Sequence, residues 1–216
     1  MSACLRGIFL ALICFVISTG GASAETPGAP PGTALTPAQA RQDLELSLSA
    51  LEAALPNIYW HQSPADWERA KATARSSLDQ VTDSEGLWRI LMPLLARIGE
   101  GHLSLERSEA MKRRERETGL LLPLAVHWTE RGAYVIGGYG DASDIPQGTA
   151  IVSIDGKDTQ ALADELMFAA TRDGSIRTGI LREASGNGYG ELLYRMTGSR
   201  TNFHLVLRTR NGNLLV

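Results

Sequence analysis

The spacing of apolar residues divides the chain into a helical half and a strand-rich half. Leu44, Leu48, Leu51 and Leu55 recur every three or four residues, which is one face of a helix. Thr36 stands before it as a cap, Pro37 suits the first helical position, and Gln39 completes a capping box. Pro56 ends it, because a residue before proline is pushed out of the α region. Ser63-Pro64-Ala65-Asp66 repeats the start signal, and Trp67, Ala70, Ala74, Leu78 and Val81 continue along one face. A third helix is predicted to begin near Thr82, with Glu85 three residues on. Its stripe is broad: Leu87, Ile90, Leu91, Leu94, Leu95 and Ile98. Pro93 falls inside it, where a missing N–H and a ring clash predict a kink. Gly99 and Gly101 stop it. Three short helices with complementary apolar faces predict a small bundle.

Residues 106–118, ERSEAMKRRERET, carry charges of both signs in alternation and read as a solvated helix or connector. From Leu120 the period shortens. LLPLAVHW and AYVIGGY flank the turn Glu130-Arg131-Gly132, which predicts a hairpin. Ile151, Val152 and Ile154 make a further strand closed by Asp155-Gly156. Leu162, Leu166 and Ala170 fit a helix, and residues 176–196 read as helical pieces broken at Gly186-Asn187-Gly188. Phe203, Leu205 and Leu207 alternate with His204 and Arg208 and run into Arg210-Asn211-Gly212-Asn213, a strong hairpin turn. The returning strand has only Leu214, Leu215 and Val216, so it reads as a sheet element cut short.

The start of the chain has another logic. Arg6 precedes an apolar run, GIFLALICFVI, and small residues lead to Ala22-Ser23-Ala24. That is a secretory leader, residues 1–24, with cleavage expected after Ala24. Its apolar run is too short to span a bilayer, so no stable membrane span is expected after cleavage. Residues 25–35 are rich in Pro, Gly and small side chains and read as a linker. Cys4 and Cys14 both lie in the leader, so the exported chain has no thiol nucleophile and no disulfide. An exported location, periplasmic or extracellular, follows from the leader.

Composition excludes more than it indicates. Hydrophobic residues make 44% and charged residues 21% of the chain, which an ordinary packed core can use. A formal charge of −3 gives no electrostatic case for nucleic acid. His61, His127 and His204 lack metal-ligand spacing, so no metal and no cofactor are expected. Ser76, Ser77, Ser143 and Ser153 do not sit on a G-x-S-x-G elbow. Ser185-Gly186-Asn187-Gly188 lacks the lysine and the strand–loop–helix context of a phosphate loop and reads as a helix connection.

Two stretches carry a resemblance. The first, LWRILMPLLARIGEGHLSL, is a leucine-rich helix running into Gly99, Glu100, Gly101, His102 and Ser104. The second, IPQGTAIVSIDGKD, is a proline–x–glycine turn, an apolar strand and an Asp-Gly closure. In this order they resemble the tail-specific (carboxy-terminal-processing) serine peptidase family, whose core tricorn-type peptidases share. The resemblance implies an α+β fold: a small amino-terminal helical bundle (residues 36–119, with the charged connector) followed by a PDZ-like domain (residues 120–216). The family's nucleophile-bearing catalytic domain is expected to be absent from this chain.

The family hydrolyses peptide bonds with a serine activated by lysine or, in tricorn-like members, histidine. Only His102 matches a position that is catalytic in some members. It would act as general base on a downstream serine hydroxyl. In lysine-using relatives a histidine here would be structural, and it can equally cap the helix end. The implied partner is a polypeptide substrate or a peptide carboxyl terminus. PDZ-like domains bind an extended chain as an added strand. The loop GGYGDASDIPQG offers amides for a terminal carboxylate, though its glycines can equally serve turns, and no peptide-contacting residue is assigned. The expected function is therefore the substrate-capturing amino-terminal portion of an exported serine peptidase. The alternative is a stand-alone, non-catalytic periplasmic PDZ-like peptide-binding module.

Overall fold

The computed structural model describes residues 34–215. The leader and residues 25–33 of the linker lie outside the described residues. The architecture is α+β, with helices first and an antiparallel sheet packed with helices after.

Helix α1 is Pro37–Ala54 and α2 is Pro64–Ser76. Both start as the sequence predicts. The Thr36 and Ser63 hydroxyls accept from the third helical N–H, while Gln39 and Asp66 reach back to the cap backbone. Such caps contribute about 1 kcal/mol each. Leu78 and Val81 do not extend α2: a 3₁₀ turn, Leu78–Gln80, carries Leu78 into the core and Val81 follows it.

Helix α3, Ser84–Ile98, is the centre of the helical region. Its cap is Asp83 rather than Thr82, and the Asp83 carboxylate accepts from the Gly86 N–H. Thr82 is otherwise engaged, because its carbonyl accepts from Leu35 N at 2.9 Å and pairs the entry of α1 with the entry of α3. The helix runs unbroken through Pro93. Leu87, Leu91, Leu94 and Ile98 face α1 and α2 in one cluster. Trp88, Met92, Leu95 and Ala96, one position further round, meet Met111 in another.

Met111 belongs to α4, Glu109–Thr118, inside the charged segment. That segment is not wholly solvated. Met111 is buried, and Arg107 pairs with Glu115 with both side chains about nine-tenths buried. Alternating charge hid this face because its apolar anchor is a single residue.

The sheet follows. Strands β1 (Leu124–Thr129) and β2 (Gly132–Gly138) form the expected hairpin. A bulge lies between Ala125 and Val126. Strand β3 is Ala150–Ile154, and β4, Lys157–Asp158, folds back on it across Asp155-Gly156. Both turn residues have positive φ, 51° and 78°, which this tight turn requires. After α5 (Thr159–Leu166), α6 (Thr178–Glu183) and α7 (Gly188–Thr197) come β5 (Leu205–Arg208) and β6 (Leu214–Leu215). The order across the sheet is β1-β2-β3-β5-β6, all neighbours antiparallel. Helices α5 to α7 cover one face, where Val126, Val135, Ile154, Leu166, Tyr189 and Leu192 are all but inaccessible to water. Among the described residues, no helix is long and apolar enough to cross a membrane.

Candidate functional site

The turn after α3 places the histidine singled out in the sequence. Gly99 ends the helix in the left-handed region, φ 70°, and turns the chain outward. Glu100, Gly101 and His102 follow in a tight loop closed by Leu103 N to Glu100 O at 3.2 Å. The Glu100 carboxylate accepts from the His102 backbone N–H at 3.1 Å and lies 2.8 Å from the ring Nδ1. Its other oxygen accepts from Asn57 Nδ2 at 3.1 Å. The Glu100 side chain is largely covered, while that of His102 is 93% exposed.

A distant segment, residues 167–176 between α5 and α6, closes on this turn. Asp173 Oδ1 accepts from Gly101 N at 2.9 Å, and Gly174 N donates to Gly99 O at 2.9 Å. Thr171 Oγ1 donates to Leu103 O at 2.6 Å, and Arg172 donates to Ala96 O at 3.3 Å. The ring of His61 lies against both Gly99 and Gly174, so close that a Cβ on Gly99 would meet it at 2.6 Å. Three stretches of chain far apart in sequence therefore meet at one exposed turn.

The electrostatics follow from the geometry. Hydrogen bonding to Glu100, its charge and then the charge of Asp173 hold the His102 imidazolium and raise its pKa above the ordinary value near 6.5. Reciprocally, the His102 N–H and ring lower that of the Glu100 carboxyl. With Nδ1–H bonded to Glu100, the neutral ring keeps Nε2 as its free lone pair. That is the arrangement in which a carboxylate orients a histidine base. Among the described residues, the ring bonds to no hydroxyl.

The sequence located His102 and flanked it with Glu100, but Asn57 and Asp173 carried no local signal. Gly101 and Asp173 are 72 positions apart. Glu100, His102 and Asp173 also bring three ligand atoms within 4.8 Å of one another. Histidine spacing alone could not register that set. Each of these groups already has a hydrogen-bond partner, and a cation there would displace the bond between Nδ1 and Glu100.

The remaining candidates separate from this site. His127 is exposed on β1, and His204 is exposed just before β5 with its N–H on Asp155. The glycine-rich loop after β2 uses several of its amides locally. Ala142, Ser143, Ile145, Gly148 and Thr149 all donate to nearby carbonyls. Gly138 is needed because a Cβ would strike the Ala142 carbonyl, and Gly148 because its φ is 80°. Of its glycines, Gly140 and Gly148 have positive φ and serve turns.

No family model and no curated protein matches the chain. Among solved structures, the fold is similar to that of a serine protease. The described region aligns with mature CPAF complexed with lactacystin at a TM-score of 0.52 and 15% identity, covering 82% of this chain and 33% of that one. It aligns with a serine-to-alanine mutant of CPAF at 0.50 and 16%, covering 82% and 32%. CPAF is a chlamydial, tail-specific protease-like serine protease. At this identity the likeness shows a similar fold and nothing further. The chain spans about a third of the CPAF length.

Proposed function

We propose that this chain is the amino-terminal, substrate-handling portion of an exported tail-specific-type serine peptidase, and that His102 is the general base of its reaction. The observation that carries this reading is the 2.8 Å contact between Nδ1 of His102 and Glu100, which leaves Nε2 open on an exposed turn. The base would take the proton of a serine hydroxyl as that oxygen attacks a peptide carbonyl, then return it to the leaving amine. Glu100 would hold the ring and offset the charge that forms on it. In this reading the serine is supplied by a downstream catalytic domain that is not in this chain. The sheet region, in this reading, is PDZ-like and captures a polypeptide by strand addition. Its antiparallel order and the helices packed on one face support that role. The exported location rests on the leader residues alone.

The test is covalent labelling by a fluorophosphonate probe of the protein assembled with the polypeptide that carries the serine. Labelling lost in His102→Ala and reduced in Glu100→Gln supports the assignment. Labelling at the wild-type rate in His102→Ala removes it.

A further inference from the structure

The turn that presents His102 gathers two carboxylates from distant parts of the chain. Glu100 precedes the histidine by two residues, and Asp173 arrives on the segment between α5 and α6. One ligand atom from each of the three lies within 4.8 Å of the others. Other carboxylates of this protein are matched by long cationic side chains: Glu45 pairs with Arg75, Glu52 with Lys71, Asp83 with Arg114 and Asp155 with Arg200. Here, among the described residues, no Lys or Arg pairs with either acid, and Glu100 has only the His102 ring. Two like charges side by side disfavour each other, and one imidazolium offsets at most one of them.

The two carboxylates are also held as metal ligands are, each by a hydrogen bond from outside the set. Asn57 Nδ2 donates to Glu100 Oε2 at 3.1 Å, leaving Oε1 toward the ring. Gly101 N donates to Asp173 Oδ1 at 2.9 Å, and Oδ2 makes no hydrogen bond among the described residues. Gly174 N on Gly99 O and Thr171 Oγ1 on Leu103 O fix the two segments against each other. Bonds of roughly 2.0–2.2 Å to one tetrahedral ion set neighbouring ligand atoms about 3.4 Å apart. The 2.8 Å pair of Nδ1 and Oε1 reaches that by opening slightly. One imidazole with two carboxylates suits zinc and its divalent transition-metal neighbours, whereas magnesium and calcium take oxygen ligands.

We propose that Glu100, His102 and Asp173 form a binding site for a zinc-class divalent cation, and that its occupation silences His102 as a base. The ion takes the Nδ1 lone pair, and the proton that Nδ1 shared with Glu100 moves to Nε2. Nε2 then donates and has no lone pair for a serine proton. The cation site stands on these three side chains alone, while the silencing rests on the proposed function.

Cobalt(II), whose visible absorption reports its ligands, is titrated into the chain by itself and then displaced with zinc. One ion per chain is expected. Glu100→Gln, Asp173→Asn and His102→Ala should each weaken binding by about tenfold or more. His127→Ala, at an exposed position of β1, should bind as wild type does. Asp173→Asn keeps an oxygen for the Gly101 N–H. Should it unfold all the same, His102→Ala decides, because that side chain is 93% exposed and the core does not depend on it. Ring-nitrogen NMR should show zinc at Nδ1 and a proton at Nε2. Wild-type affinity in Asp173→Asn or His102→Ala overturns the site, and so does displacement of cobalt by millimolar magnesium. For the silencing, fluorophosphonate labelling of the assembled peptidase should fall when zinc is added and return with a chelator. Labelling indifferent to bound zinc removes it. A wild type that never labels refutes the catalytic reading, and the cobalt titration still decides the cation site.

Discussion

At the level of single residues, the site is a histidine whose protonation is set by two carboxylates. Their influence is ordered, with Glu100 acting first by hydrogen bond and then by charge, and Asp173 by charge alone. Glu100→Gln should therefore bring the His102 titration midpoint down toward 6.5, and Asp173→Asn should move it the same way by less. Proton NMR of the ring follows both, and equal shifts would contradict the assignment of causes. Since the folded ring binds its proton more tightly than the unfolded one, its contribution to stability is full below the ordinary value. It is lost as pH rises through the raised one. Under the proposed function a base of this kind works only when neutral, so activity of the assembled peptidase would rise with pH through the raised midpoint. In Glu100→Gln the rise should shift to lower pH and the plateau should fall. The pair Glu100 and His102 was legible because two residues on one turn are neighbours whatever the fold. Asp173 was not, because only the closing of the segment between α5 and α6 onto the turn brings it near.

At the level of elements, the turn depends on a residue that can be left-handed. Gly99 combines φ 70° with a ring packed where its Cβ would be. Gly99→Ala should destabilise the protein by about 1–3 kcal/mol, the usual range for a strained backbone position. Urea unfolding measures it. Adding His61→Gly should recover the steric share and leave the conformational one, so the double variant lies between wild type and Gly99→Ala. Recovery to wild type would mean the backbone carries no strain. Helix boundaries with complete local signals were readable. Thr36 and Ser63 cap as their sequences say, and Gly99 stops α3. Where two neighbours compete for one role, long-range pairing decides. Thr82 lost the cap to Asp83 because its carbonyl is needed by Leu35. The charged α4 misled for a related reason: one buried methionine and one buried ion pair leave no periodic trace.

At the level of the molecule, the helical and sheet regions are joined at several places, two of which carry testable energy. The first junction is the site itself, through Gly99, Gly101 and Leu103. The second is ionic. Arg89 of α3 donates from Nε to the Arg195 carbonyl of α7 at 3.0 Å, while its other arm pairs with Glu85 at 3.2 Å. Glu85 is buried, and one of its oxygens has no partner. Nothing in the sequence paired residues 106 positions apart, and the alternating charges concealed which of them are covered. Removing the guanidinium should therefore do two kinds of damage: the Arg195 carbonyl loses a donor, and Glu85 keeps a charge with no counterpart. Arg89→Ala should lower stability by about 1–3 kcal/mol, with the midpoint in urea falling and the slope unchanged. Arg89→Lys keeps the charge and loses the planar fork, so it should recover only the share owed to Glu85. Adding Glu85→Leu to Arg89→Ala should recover the same share, since a buried carboxylate without its partner is worse than an apolar side chain. If Arg89→Ala is neutral, the second junction carries no energy. The site turn and the contacts of Arg195 with Glu115 and of Ser199 with Thr118 then hold the two regions, and Gly99→Ala becomes the variant that tests the first of these.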